Sequence, residues 1–172
     1  MLSLSSQGAR FIEAWEGFRA QPYNDSEDNA TVGIGHLIHR GPVTGADRAR
    51  WGNMTLAHAL AQLQADMHVN AIQALASSLK VSLTVSQIDA LCSIGFNCGP
   101  GALRAGGAVM LAVNSKPKTW NAVAMRAWRG RVEAAIMQWA HPTVLERRRR
   151  SEACLFRTGK YTKATGNPYA NA

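Results

Sequence analysis

The stretch Phe11-Ile-Glu-Ala-Trp-Glu-Gly-Phe-Arg-Ala-Gln-Pro-Tyr-Asn-Asp-Ser-Glu-Asp-Asn-Ala-Thr-Val-Gly-Ile-Gly-His36 decides the fold. Phe11, Ile12 and Trp15 recur at helical spacing. Ser5 or Ser6 can cap the first turn and Gly17 follows the last, so the pattern predicts a helix closing at Glu16. Tyr23-Asn-Asp-Ser-Glu-Asp-Asn29 is a cluster of turn formers between two extended segments, which predicts a hairpin. Side chains alternate along a strand, so Thr31, Gly33 and Gly35 are expected on one face and Val32, Ile34 and His36 on the other. The two glycines would then leave an open floor beside the Thr31 hydroxyl.

This order of groups suits cleavage of a glycosidic bond. Glu16 lies one turn beyond Ile12, on the edge of a stripe expected to be buried, at the helix end where unpaired carbonyls make the potential negative. Both effects favour the protonated carboxyl, which can give its proton to a glycosidic oxygen. Asp25, in the polar turn, is expected to stay ionised and Thr31 to offer a hydroxyl, the pair that handling a water requires. Each residue alone reads more simply as a surface helix residue, a turn former and a strand residue. It is their combination that carries the chemistry.

Glu16, eight residues, Asp25, five residues, Thr31 and then Val-Gly-Ile-Gly-His resembles the catalytic signature of phage-type lysozymes, the endolysins of glycoside hydrolase family 24. Asp28-Asn29 stands where many relatives have a glycine in the hairpin turn, and Asn tolerates the positive φ such a turn needs. The likeness continues in Gln87-Ile-Asp-Ala-Leu-Cys-Ser-Ile-Gly-Phe-Asn-Cys-Gly-Pro-Gly101, similar to the family's buried helix that ends at the cleft. Leu145-Glu-Arg-Arg-Arg-Arg-Ser-Glu-Ala-Cys-Leu-Phe-Arg-Thr-Gly159 is similar to its closing helix. The resemblance implies that Glu16 is the general acid, that Asp25 and Thr31 handle the attacking water, and that Arg148 reaches and orients Glu16. It implies substrate-binding roles for Gly35, Leu37, Phe96 and Asn97, and an ion pair between His36 and Asp66 that ties hairpin to helix. A cation at Arg148 would oppose the protonation of Glu16; burial and bound substrate together are expected to prevail.

The implied fold is α+β and mostly helical: a single lysozyme-like domain over 1–172, with a small β-containing lobe at 17–54, a connecting helix at 55–77, a helical lobe at 78–160 packed with the amino-terminal helix, and a loose tail at 161–172. Thr55 to Leu75 contains neither glycine nor proline and reads as one long helix capped by Thr55. Thr119 is expected to cap a helix that buries Trp120, Val123 and Ala127 on one side. Trp139, near a loop, is a minor candidate for stacking on a sugar ring.

With 172 residues, 47% of them hydrophobic, the chain is long enough for one well-buried domain. No run approaches a membrane span and the amino terminus lacks a signal-peptide pattern, which predicts synthesis in the host cytoplasm before action at the periplasm and cell wall. The resemblance implies release through a holin. Cys92, Cys98 and Cys154 have no zinc-ligand spacing and read as small apolar residues, and His36 and His39 lack a third ligand, so no metal or other cofactor is expected. Nineteen Lys and Arg against eleven Asp and Glu give a net charge of +8, attractive to an anionic envelope surface. Nucleic acid as partner is set aside, because interleaved aromatics and any known binding module are missing. Of the run Arg147 to Arg150 only Arg148 is expected to face inward, with the rest solvated.

The resulting expectation is a monomeric endolysin that hydrolyses the β-1,4 bond between N-acetylmuramic acid and N-acetylglucosamine in peptidoglycan glycan strands. The alternatives are a lytic transglycosylase cleaving the same bond with Glu16 alone, a zinc amidase, and a basic membrane-disrupting or wall-binding module.

Overall fold

The computed structural model describes residues 2–162. They divide into two compact units, one of residues 12–66 and the other of the chain on either side of it. Helix α1, Ser6–Glu16, begins in the second unit and ends in the first. Ser5 caps it, its hydroxyl accepting the Gly8 N–H at 3.0 Å. Gly17, at φ 77°, closes it by donating to the Glu13 carbonyl at 2.8 Å.

In the smaller unit, strands β1 (Arg19–Asn24), β2 (Ala30–Gly33) and β3 (His36–His39) form an antiparallel sheet in chain order. Thr31 stands opposite Tyr23 on one side and Leu37 on the other. Helix α2, Gly45–Trp51, begins in a Thr44/Asp47 capping box. Helix α3, Leu56–Met67, starts at Thr55, whose hydroxyl accepts the His58 N–H at 3.2 Å.

The strand expected to run from Thr31 to His36 stops at Gly33. Gly33 and Gly35 have φ of 68° and 70°, and Ile34-Gly35 forms a turn into β3. The glycines therefore serve backbone conformation, and the open floor is absent. A Cβ on Gly33 would lie 2.7 Å from Met54 Sδ and 3.2 Å from Ala59 Cβ, so that spot is already filled. The positive φ in the turn between β1 and β2 falls on Asp28, at 60°, rather than on Asn29.

The expected single long helix is also interrupted. α3 gives way to a wider π-helical turn at His68–Ile72 before α4, Gln73–Ser78. In the larger unit follow α5 (Val85–Cys98), a 3-10 turn at Pro100–Leu103, α6 (Ala108–Asn114), α7 (Ala122–Met137), a 3-10 turn at Thr143–Leu145 and α8 (Glu146–Thr158). Helix α8 packs on α5 and α7, and α6 on α7. The core between them holds Leu91, Ile94, Leu103, Met110, Trp128, Ile136 and Leu155. Trp128 satisfies its indole N–H on the Ala112 and Val113 carbonyls at 3.1 and 3.0 Å, and meets Phe156 edge-on at 5.5 Å.

Helix α7 buries a different side from the one expected. Asn121, not Thr119, caps it by accepting the Ala124 N–H at 3.0 Å. Met125, Trp128, Val132 and Ile136 then point inward at helical spacing, while Trp120, Val123 and Ala127 are exposed. Of the tail expected to be loose, all but Tyr161 and Thr162 lies outside the described residues. Tyr161 is tied down: its hydroxyl donates to buried Asp89 at 2.7 Å, and Asp89 also accepts the Ser5 backbone N–H at 2.9 Å and the Ser5 hydroxyl. The three cysteines are free thiols. Among the described residues no helix is long and apolar enough to cross a membrane.

Candidate active site

Glu16, Asp25 and Thr31 all belong to the smaller unit. Glu16 is the last residue of α1, and although Ile12 one turn earlier is fully buried, Glu16 itself is exposed. The burial expected of it is therefore absent: the helix carries the carboxyl past the apolar stripe to the surface.

Asp25 begins the turn between β1 and β2. Its Oδ1 accepts the backbone N–H groups of Glu27 and Asn29, each at 2.9 Å, an Asx turn that fixes the carboxylate against the backbone. The Asn29 N–H holds the carboxyl below the usual carboxylate range, with Glu27 and Thr31 adding to the effect against partial desolvation. Asp25 is thus ionised at neutral pH. Its Oδ2 faces Thr31 Oγ1 at 3.4 Å, and that hydroxyl lies 3.2 Å from the Asn29 carbonyl. Thr31 is only 4% exposed, so the hydroxyl is set in place by β2 rather than projecting from an open surface.

Tyr23, opposite Thr31 in the sheet, was not among the residues expected from sequence. Burial raises its hydroxyl above the ordinary tyrosine range, Arg19 opposes this, and the charges of Glu16 and Asp25 both add to it. The neutral phenol therefore feels both carboxylates, and Arg19 covers its ring at 4.2 Å. The pairing of β1 with β2 is irregular between Arg19 and Tyr23, so strand alternation alone gave no dependable signal for this contact.

The other expected residues divide between the units. Gly35 and Leu37 are exposed at the turn and on β3. His36 Nδ1 lies 2.9 Å from Asp66 Oδ2, the expected pairing, and Gln62 donates to the other Asp66 oxygen at 2.9 Å. Trp51 packs against the His36 ring at 5.3 Å. His39, for which no partner was foreseen, reaches Asp47 at 2.9 Å. In the larger unit Phe96 is half-buried and Asn97 exposed on the last turn of α5.

Arg148 donates to Glu152 at 3.2 Å and lies 3.5 Å from the Ser93 hydroxyl and carbonyl. Arg149, expected in solvent, is fully buried. A helix turns about 100° per residue, so adjacent arginines need not share an exposure. What keeps both inside is Glu152, itself fully buried, which pairs with Arg149 at 2.8 Å and accepts the Ser93 hydroxyl at 2.6 Å. The sequence signal was the Glu at i+4 and i+3 from the two arginines.

A family profile described as Phage lysozyme matches residues 13–152, a span that includes Glu16, Asp25 and Thr31 and the buried arginines. The chain belongs to the phage lysozyme family. This phage lysozyme is 33% identical over 156 residues to the endolysin of Salmonella phage P22, an alignment covering 91% of the chain and 99% of the relative. It is similar to a solved variant of P22 lysozyme, with 28% identity, a TM-score of 0.69 and coverage of 91% of this chain and 99% of that one. It is also similar to the muramidase domain of SpmX from Asticaccaulis excentricus, with 25% identity, a TM-score of 0.68 and coverage of 92% and 99%. Phage lysozymes are glycoside hydrolases of peptidoglycan lysis.

Proposed function

We propose that this phage lysozyme hydrolyses the β-1,4 bond between N-acetylmuramic acid and N-acetylglucosamine. Glu16 protonates the glycosidic oxygen, while Asp25 and Thr31 position and activate the attacking water. The observation that carries the reading is the state of Asp25: one carboxylate oxygen is committed to turn amides, and the other faces the Thr31 hydroxyl at 3.4 Å. An ionised oxygen and a hydroxyl at that separation can share one water between them. Tyr23, kept neutral chiefly by burial, serves as a hydrogen-bond donor beside ionised Asp25. Direct attack by water inverts the anomeric configuration. Arg148 is assigned to orient Glu16, and Gly35, Leu37, Phe96 and Asn97 to contact the glycan. In the cell the enzyme is made in the host cytoplasm, works as a monomer, and reaches the wall after a holin opens the way.

Wall-clearing by Glu16→Gln, Asp25→Asn and Thr31→Ala proteins tests the reading, with folding checked by circular dichroism. Near-total loss in Glu16→Gln with the fold intact is the expected result. Full clearing by that protein, or anhydro-sugar products in the mass spectrum of the wild-type digest, would overturn it.

A further inference from the structure

The contacts of Arg149 with Asn97, Cys98 and Glu152 fix the direction of the Asn97 side chain. Arg149 Nη2 donates to Asn97 Oδ1 at 2.9 Å, and its Nη1 lies 2.8 Å from Cys98 Sγ. A guanidinium has donors only, so the carboxamide must turn its oxygen toward Arg149. The Cys98 thiol, at 3.7 Å, approaches the same oxygen. Arg149 itself cannot swing away. It is fully buried, and Glu152 holds it through Nη2 at 3.1 Å and Nε at 2.8 Å. Asn97, by contrast, is exposed, and among the described residues no hydrogen bond uses its Nδ2 hydrogens.

We infer that Arg149 is a positioning residue that locks the Asn97 carboxamide, so that Asn97 presents N–H donors, and only donors, to a carbonyl oxygen of the wall polymer. This rests on the proposed reading of the chain as a wall-glycan hydrolase with Asn97 at the substrate. An unanchored asparagine could flip and accept as readily as donate. Here the buried ion network has fixed the choice in advance, which lowers the ordering cost on binding. Two carbonyls fit: the acetamido groups of the sugars and the peptide bonds of the stem.

Kinetics on glycan strands with and without stem peptides test this. Asn97→Asp keeps an acceptor for Arg149 and removes both donors, while Asn97→Ala removes the donors without adding charge. Each is expected to raise KM, by about threefold to tenfold for the alanine variant and more for the aspartate, with the loss falling on KM rather than kcat. The unfolding midpoint of Asn97→Asp should equal or exceed that of the parent. If Arg149 acts through Asn97, Arg149→Lys raises KM in the parent and adds nothing in the Asn97→Ala background. A KM effect that persists on peptide-free strands assigns the acceptor to an acetamido group, and one confined to peptide-bearing strands assigns it to the stem. Parental KM for Asn97→Asp on both substrates, or equal effects of Arg149→Lys in both backgrounds, would overturn the inference. Failure of the underlying reading is separately visible, as a wild-type protein that releases no reducing ends from the wall.

Discussion

Replacing Glu152 by glutamine leaves two buried guanidinium groups without their shared counter-ion. Glu152 and Arg149 are both fully buried and Arg148 is 5% exposed, so water cannot take over the lost charge. The carboxylate holds Ser93 at 2.6 Å, Arg148 at 3.2 Å and Arg149 at 2.8 and 3.1 Å. A glutamine can return one acceptor oxygen to these donors, but its amide hydrogens would face a cation. Removing one partner of a buried pair costs about 3–5 kcal/mol. For a chain of this length each kcal/mol moves the melting temperature by about 2–4 °C, so the expected drop is about 6–20 °C.

The same helix supplies its own control. Glu146 and Arg150 pair at 2.6 Å with the same i, i+4 spacing as Arg148 and Glu152, but their side chains are 44% and 47% exposed. An exposed pair contributes about 0–1 kcal/mol, so Glu146→Gln should shift the midpoint by no more than about 2–4 °C. Equilibrium urea unfolding and thermal melts followed by circular dichroism measure both variants beside wild type. Equal effects of the two substitutions, or a Glu152→Gln protein within about 2 °C of wild type, would refute the claim that burial sets the cost.

Asp25→Asn should keep the turn, since an amide oxygen can still accept from Glu27 and Asn29, yet lower wall-clearing by about 100-fold to 10,000-fold, as loss of a positioned acid–base group does; activity within tenfold of wild type would count against its role. Gly33→Ala should destabilise by about 2–4 kcal/mol, from the positive φ and the contacts with Met54 and Ala59, and Met54→Ala in the same chain should recover part of this; an unchanged urea midpoint would contradict it. Asp47 is held at about 2, chiefly by the Thr44 side chain, and His39 is raised, first by the Arg40 carbonyl and then by Asp47. The depressed acid contributes above its ordinary value near 3.9 and loses that as pH falls toward about 2, while the raised histidine contributes below its ordinary value near 6.5 and loses that as pH rises. The β3–α2 link is therefore strongest between about pH 4 and 6.5, and a His39 ring titrating at or below the ordinary value by nuclear magnetic resonance would show the pairing to be absent.

What the chain reveals before folding is set by how local the physics is. The helix ending at Gly17, the turn at Asp25 and the caps at Thr55 depend on neighbours within a few residues, and each is readable. Glycines were read for their missing side chains, whereas Gly33 and Gly35 act through positive φ; alternation could not reveal a strand that stops after Gly33. In α7 the cap fell on Asn121 rather than Thr119, and it was packing on α6 and α8, not the cap, that selected Met125, Trp128, Val132 and Ile136 over Trp120, Val123 and Ala127 as the buried side.

The arginine run shows where local reading fails for a physical reason. Four successive cations look alike in one dimension, and the usual expectation is that all but one meet water. Burial of two of them requires an acid at the right height on α8 together with acceptors on α5, and Ser93 and Asn97 are more than fifty residues away in sequence. Glu152 was in view, but only the packing of α8 on α5 converts it from a surface partner into a buried counter-ion. The same packing brings a buried guanidinium to an exposed carboxamide, so the direction in which Asn97 can hydrogen-bond is a property of two helices and not of either segment alone.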